Sequence, residues 1–277
     1  MDLTVNGFRC HLTSSGPPRS VAGRPCSPVV LVHGAANDHD AWLGVADLLA
    51  AAGQHVLVPD LPGHGLSAGA PLRSIEALAD WLAELLDAAS VTQAVLVGHS
   101  MGSLVALECA ARHRQRVSRL ALLGTSVPMP VADALLGQAT SAPDQVCRMM
   151  SAYSASSRFL RTGGQRGHGI WGPGLMLAIM RRSPPGVLAV DLANCNDYQN
   201  GLRAAAQVHC PTLLVVARRD RMTPRRNLPP LLAALPACER IELADCGHAM
   251  MSEQPGALAN ALLAFVTAGQ PTAFARQ

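Results

Sequence analysis

A chain of 277 residues that is 49% hydrophobic and 15% charged can bury one large core or two modest ones, and it is excluded from global disorder. Its formal net charge of +3, with arginine as every one of its 22 basic residues, is too mild to argue for a nucleic-acid partner or an anionic membrane surface. Eight cysteines, at positions 10, 26, 109, 147, 195, 210, 238 and 246, include no C-x-x-C pair, which excludes a zinc ribbon or a thioredoxin-like motif. They read as small buried hydrophobes in a reducing compartment. Residues 1–20 hold Asp2, Arg9 and two prolines but no apolar run of signal-peptide length, so the expectation is a soluble, cytoplasmic protein.

In chain order, Asn6-Gly7 between Thr4-Val5 and Phe8-Arg9 predicts a two-residue hairpin. Residues 16–28, rich in Pro, Gly and Ser, predict a loop. Strands are expected at 29–32, 55–58, 94–97, 119–123, 212–216 and 240–243. All but the last are near-continuous Val/Leu/Ala runs, the pattern of parallel strands buried on both faces. Helices are expected at 42–52, 74–89, 103–114, 224–234 and 253–267, with Ser74 opening the second and Pro255 near the start of the last. The uncharged stretch 88–107 contains Gln93, Gly98, His99, Ser100 and Gly102, and reads as strand, turn and helix rather than as a membrane span. Strand–helix alternation of this kind predicts a doubly wound, mostly parallel α/β sheet. The alternation lapses over 131–207, which is too long for a loop. That segment is expected to be an inserted helical cap, with 1–130 and 208–277 as the core and a flexible run at 162–167.

Chemistry is concentrated at strand ends. Gly98-His99-Ser100-Met101-Gly102 is a G-x-S-x-G that follows one predicted strand and opens a helix. Two glycines there permit a sharp turn that lifts a serine side chain above the sheet, with helix N–H groups beneath it. A serine hydroxyl needs a base within hydrogen-bond reach and an acid to orient that base. Among ten histidines, His248 follows the last predicted strand and fits the base. Asp220, at the end of strand 212–216, fits the acid; its rival is Asp245, and its alternative role is a solvated partner for Arg218, Arg219 or Arg221. Oxyanion N–H donors are expected from the backbone of Met101 and of Ala35, in the His33-Gly34-Ala35-Ala36 loop after strand 29–32.

His33-Gly34 with Trp42 downstream, the run Asp60-Leu61-Pro62-Gly63-His64-Gly65-Leu66-Ser67, Gly98-His99-Ser100-Met101-Gly102, Asp220 and Gly247-His248 together resemble the α/β-hydrolase fold superfamily. Within it they look like the capped, bacterial serine-esterase-like branch, over about residues 28–266 apart from the cap. Serine rather than aspartate at the elbow disfavours the haloalkane dehalogenase and soluble epoxide hydrolase branches. The resemblance implies an α/β-hydrolase fold and hydrolysis of a carboxylic ester or thioester through an acyl-enzyme. Ser100 would be the nucleophile, His248 the proton shuttle and Asp220 the group that holds the imidazolium, with no metal and no organic cofactor. The family's other uses of the same triad, C–C bond hydrolysis and acyl transfer among them, stay open, as does a ligand sensor that does not turn over.

The cap carries Tyr153, Phe159, Trp171 and Tyr198 together with Met149, Met150, Met176 and Met180, while Met129, Met250 and Met251 lie near strand ends. Some of these are helix core. The sharper expectation is an adaptable apolar acyl pocket that includes Met129, Met150, Trp171, Met176 and Ala249. Arg148, Arg158, Arg161, Arg166, Arg181 and Arg182 make the cap basic. They are either a solvated face or a docking surface for an anionic or carrier-bound acyl group. The expected partner is therefore a small-molecule acyl substrate, with the oligomeric state left open.

Overall fold

Apolar runs without alternation must bury both faces of a sheet, and in the computed structural model of the chain they do. Residues 1–18, 20–21, 24–162 and 172–268 are described. The main sheet comprises β1 (Asp2–Val5), β2 (Phe8–Ser15), β3 (Val29–Val32), β4 (Val56–Pro59), β5 (Ala94–His99), β6 (Val117–Leu123), β7 (Thr212–Ala217) and β8 (Cys238–Leu243). Their spatial order is β1-β2-β4-β3-β5-β6-β7-β8. From β4 to β8 every pairing is parallel, and β2 alone runs against its neighbours. The hairpin turn falls where the sequence places it: Asn6 and Gly7 take φ of 51° and 79°, the twist that lets two strands fold back after two residues.

Successive side chains of each central strand point to opposite sides and find different helices. Val30, Val32, Leu96 and Leu122 pack towards α2 (Ile75–Ala88) and α3 (Met101–Arg112). Val29, Leu31, Val97 and Leu123 pack towards α1 (Leu43–Ala51) and, at the other end of the chain, α12 (Pro255–Thr267). Ser74 caps α2, its Oγ accepting from the Ala77 N–H at 3.1 Å.

Three predicted helices change at their ends for local reasons. The helix expected from 103 begins at Met101, directly after Ser100. The segment expected at 224–234 is a 3-10 turn, Arg225–Asn227, followed by a separate short helix, α10 (Pro229–Ala234). Pro229 and Pro230 have no N–H to donate, so they can only stand in a first turn and the helix restarts there. The last helix divides into α11 (Met250–Glu253) and α12 at Gln254, which leaves the helical region at φ −141°, ψ 56° because the residue before a proline resists helical geometry.

Between β6 and β7 lie α4 (Asp133–Ser141), α5 (Pro143–Ser154), α6 (Ser157–Thr162), α7 (Gly172–Arg182), α8 (Val187–Asp197) and α9 (Gly201–Ala206). The last of these packs against α3 and α10 and buries Ala204 and Ala205, so the chain has rejoined the layer flanking the sheet before β7 begins. The run expected to be flexible at 162–167 falls, after Thr162, outside the described residues, as do Arg166 and Trp171. All eight cysteines are free thiols, five of them buried. No helix among the described residues is long and apolar enough to cross a membrane.

Strands β3 and β5 are neighbours, yet their connections lead to opposite sides of the sheet. The carboxyl edge between them is the crevice in which open α/β sheets hold ligands. The core that holds this edge should be sensitive to volume. Leu31→Ala, at a fully buried position on β3, is expected to cost about 2–5 kcal/mol in urea unfolding with an unchanged m-value.

Candidate active site

Strand β5 ends at His99 and α3 begins at Met101, so Ser100 alone makes the turn. Its backbone sits at φ 55°, ψ −122°, a region that residues with side chains rarely enter. The strain is held by close backbone packing. A Cβ on Gly98 would lie 2.1 Å from the Gly102 carbonyl oxygen, and one on Gly102 would lie 2.4 Å from that of Val32. Both glycines of the motif are therefore steric necessities. The Ser100 N–H donates to Leu123 O at 3.0 Å, and the Ser103 hydroxyl donates back to Ser100 O at 2.5 Å. As the first residue of α3, Met101 has an N–H with no partner one turn earlier in the helix.

His248 lies between β8 and α11, buried, with Nδ1 2.8 Å from Asp220 Oδ2. That carboxylate accepts from every side: the N–H groups of Met222 and Thr223 reach Oδ1 at 2.8 Å, and the Thr223 hydroxyl reaches Oδ2 at 2.7 Å. Burial alone would raise the Asp220 carboxyl, but the facing imidazole and these donors hold it well below the ordinary carboxylate range. An ionised Asp220 selects the tautomer of His248 that donates from Nδ1 and leaves a lone pair on Nε2. Asp245, the rival acid, pairs instead with Arg219 at 2.7 Å and Arg158 at 3.1 Å.

Three residues that sequence reasoning passed over secure His248. His99 donates from Nε2 to the His248 carbonyl at 2.8 Å, its ring centroid 4.6 Å from that of His248. Burial, reinforced by the neighbouring imidazole, pushes His99 down to about 3, so it is neutral. Gly124, after β6, lets the ring come close: a Cβ there would stand 3.0 Å from both Cε1 and Nδ1 of His248. Glu253, buried and pushed upward by that burial, accepts from the Gly247 N–H at 3.1 Å, the Ser156 N–H at 2.9 Å and the Ser156 hydroxyl at 2.5 Å. It thus ties the histidine loop to the junction of α5 and α6. His99 and Gly247 flank the motif residues, which was a usable signal; Gly124 and Glu253 carry none in sequence.

Ser100, His248, Ala35 and Ala249 line one cavity of about 740 Å³, walled by Met150 of α5, Phe159 of α6 and Met176, Ile179 and Met180 of α7. Of the expected pocket residues, Met150, Met176 and Ala249 are on its wall, and Trp171 lies outside the described residues. Met129 is a correction: it is buried in the core that flanks the sheet on the α3 side and does not reach the cavity. Tyr198 likewise turns inward, its hydroxyl donating to Glu108 Oε2 at 2.5 Å. Met222 was missed, although it stands two residues after Asp220 in the same loop; the spacing of Met176 and Met180, one helical turn apart, was the signal for a shared face.

Four arginines of the segment 131–207, Arg148, Arg158, Arg181 and Arg182, have acidic partners. Arg148 and Arg181 share Asp144 at 2.8 and 2.6 Å, and Arg182 grips Asp38 with two bonds of 2.7 Å and also reaches Asp40. Arg158 meets Asp245, and among the described residues no arginine lines the cavity. A metal could be held elsewhere, by His11, His39 and Asp60, whose ligand atoms lie within 4.8 Å of one another. These donors are engaged locally, His39 Nδ1 with Asp60 Oδ1 at 2.8 Å and His11 Nδ1 with Asp2 Oδ1 at 3.0 Å.

A family model described as alpha/beta hydrolase fold matches residues 27–156. The pimeloyl-[acyl-carrier protein] methyl ester esterase of Aromatoleum aromaticum is 44% identical over 101 residues, 35% of this chain and 37% of that one. The esterase of the same name from Klebsiella pneumoniae is 28% identical over 251 residues, 86% of this chain and 93% of that one. The chain spans 29% and 37% of the length of two curated relatives that it matches at 40% and 44% identity. A solved thermophilic esterase from Thermogutta terrifontis superposes with a TM-score of 0.81 at 22% identity, over 96% of this chain and 97% of that one.

Because the folded Asp220 carboxyl lies below its unfolded value of about 3.9, its stabilising contribution is present above that pH and lost as pH falls through the folded value. Asp220→Asn is therefore expected to be less stable than the unsubstituted protein at pH 7, with the gap narrowing at pH 3. Paired urea titrations at the two pH values measure this, and a gap that widens in acid contradicts it.

Proposed function

We propose that this chain, which belongs to the α/β-hydrolase fold superfamily, is a serine hydrolase that cleaves carboxylic esters or thioesters of uncharged, apolar acyl groups. One observation carries this: a serine on a strained turn faces the same cavity as a buried imidazole whose Nδ1 is committed to an ionised carboxylate. A hydroxyl on a strand-to-helix elbow is exposed to substrate, and the base has its lone pair on the remaining nitrogen.

In this reaction the Ser100 hydroxyl attacks the ester carbonyl and gives its proton to His248 Nε2. Asp220 stabilises the imidazolium by position and charge without taking the proton. The backbone N–H groups of Met101 and Ala35 receive the negative charge that develops on the carbonyl oxygen. The imidazolium then protonates the departing alkoxide or thiolate, leaving an acyl group on Ser100. Water, deprotonated by His248, attacks that acyl group and restores the serine.

Helices α5, α6 and α7 are the working part of the proposed cap at 131–207, because they supply Met150, Met176, Met180 and Phe159 of the cavity wall. Thioether side chains adapt to apolar chains of different shape. An uncharged acyl group suits this wall, since Arg148, Arg158, Arg181 and Arg182 are engaged with Asp38, Asp40, Asp144 and Asp245. An anionic or carrier-bound acyl group would need cations on the wall itself.

Hydrolysis of p-nitrophenyl esters of graded acyl length tests the function. Turnover is expected from the unsubstituted protein, and Ser100→Ala should lower kcat by about 10⁶-fold. Esters ending in a methyl group should exceed those of equal length ending in a carboxylate in kcat/KM. A preference for the carboxylate would remove the apolar-acyl assignment, and full turnover by Ser100→Ala would remove the mechanism. Met176→Trp, by filling the wall, should shorten the preferred chain while leaving turnover of acetyl esters within about threefold, as a small change in an apolar pocket does.

A further inference from the structure

The loop from Gly34 to Ala36 is gripped on both sides by buried groups that the proposed chemistry does not use. Asp191 of α8 sends Oδ2 to the Ala36 N–H at 2.7 Å, across 155 residues of sequence. The same oxygen lies 2.8 Å from His64 Nε2, and both side chains are 1% exposed. The other nitrogen of His64, Nδ1, is 3.0 Å from the Pro62 carbonyl, which can only accept. With a carbonyl at one nitrogen and a carboxylate at the other, His64 has a proton on each and is an imidazolium. Burial opposes that charge, but Asp191 outweighs it and raises His64 above its ordinary range.

Next to it, the His33 ring is tilted by 52° to that of His64, with the centroids 5.0 Å apart. His33 Nε2 accepts from the Leu61 N–H at 3.1 Å, so the ring is neutral and its Nδ1–H donates to Gly34 O at 2.9 Å. Burial, with the charge of His64 beside it, pushes His33 down to about 4. The carbonyl of Gly34 and the N–H of Ala36 are therefore both fixed, and Ala35 stands between them. Ala36 itself is held at φ 53°, a conformation that alanine does not choose unaided.

We infer that Asp191, paired with His64, is a positioning residue for the oxyanion-binding loop: it holds the Ala36 N–H from α8 and so fixes the direction of the neighbouring Ala35 N–H. This rests on Ala35 as an oxyanion donor in the proposed hydrolase. A donor must already point at the site of developing charge to stabilise it, and a displacement of about 1 Å can cost about 10²-fold in rate. Asp191 touches no reacting atom. Its buried charge is matched by His64, without which an unpaired carboxylate would remain in the core. The arrangement makes the segment between β6 and β7 a supplier of catalytic geometry as well as of cavity wall.

Two substitutions and one spectrum test this. Asp191→Leu removes the acceptor while keeping the branching and the number of heavy atoms; Asp191→Asn keeps an oxygen for the Ala36 N–H and removes the charge. With p-nitrophenyl hexanoate and active sites titrated by a fluorophosphonate, Asp191→Leu should lose about 10²-fold in kcat with KM within about twofold. Asp191→Asn should recover to within about tenfold of the unsubstituted enzyme. A loss confined to thermal stability, with kcat per titrated site unchanged, or Asp191→Asn no better than Asp191→Leu, overturns the proposal. Nitrogen-15 NMR at pH 6 requires no turnover, so it separates failure here from failure of the esterase assignment. His64 should carry protons on both ring nitrogens, and the Ala36 amide should exchange slowly. Should Asp191→Leu not fold, the Asn variant decides, by keeping the Ala36 amide protected while His64 loses its second proton. A neutral His64 or a rapidly exchanging Ala36 amide in the unsubstituted protein sinks the idea.

Discussion

Everything in this site depends on two backbones being allowed to touch. The carbonyl of Gly102 lies so close to Gly98 that no side chain fits there, and Gly102 in turn lies so close to the Val32 and His33 carbonyls at the end of β3 that none fits there either. That contact brings the start of α3 down onto the sheet and leaves Ser100 no relaxed conformation. The strain at one serine is small beside the cooperative stability of eight strands and their flanking helices, so the fold can sustain it. Because the same contact fixes β3 against α3, it also sets where the loop after β3 stands relative to the serine.

A second constraint is electrostatic. Four imidazoles lie buried around the carboxyl edge, and each has its protonation state dictated by what its two nitrogens meet. His33 and His99 each give one proton to a backbone carbonyl and are held neutral by burial. His64 faces a carbonyl and a carboxylate and is charged. His248 faces a carboxylate on one side and open cavity on the other, which leaves one nitrogen uncommitted. The same side chain thus serves as spacer, counter-ion and proton acceptor within a few residues of one sheet edge, with partners alone deciding which.

The sheet was legible because strands buried on both faces must be apolar throughout, and the runs at β3, β5, β6 and β7 have no other use in a chain this size. The elbow and its partners were legible because serine, aspartate and histidine each had to fall at a strand end, in an order that the resemblance supplies. Met129 was misread for a related reason: nearness to a strand end says that a side chain is near the edge, not which way it points. Gly124, Glu253 and Asp191 were invisible because their roles exist only across long sequence separations, where packing brings together residues that carry no local pattern. The ends of the helices at Pro229 and Gln254 were open to deduction from proline geometry alone, since a missing N–H forbids continuation wherever it occurs.

The carboxylate of Glu253 joins the loop of His248 to Ser156, and the Ala249 N–H adds a bond of 3.1 Å to Ser154 O. The junction of α5 and α6 is thereby fastened to the same few residues that hold the imidazole. A displacement of this junction would drag the base out of register, so the two are coupled through these bonds. At α7 a second fastening to the core is of another kind, the exposed guanidinium of Arg182 on Asp38 and Asp40. The two fastenings differ in chemistry: one is a buried network of hydrogen bonds, the other an ion pair with an exposed guanidinium that salt can screen.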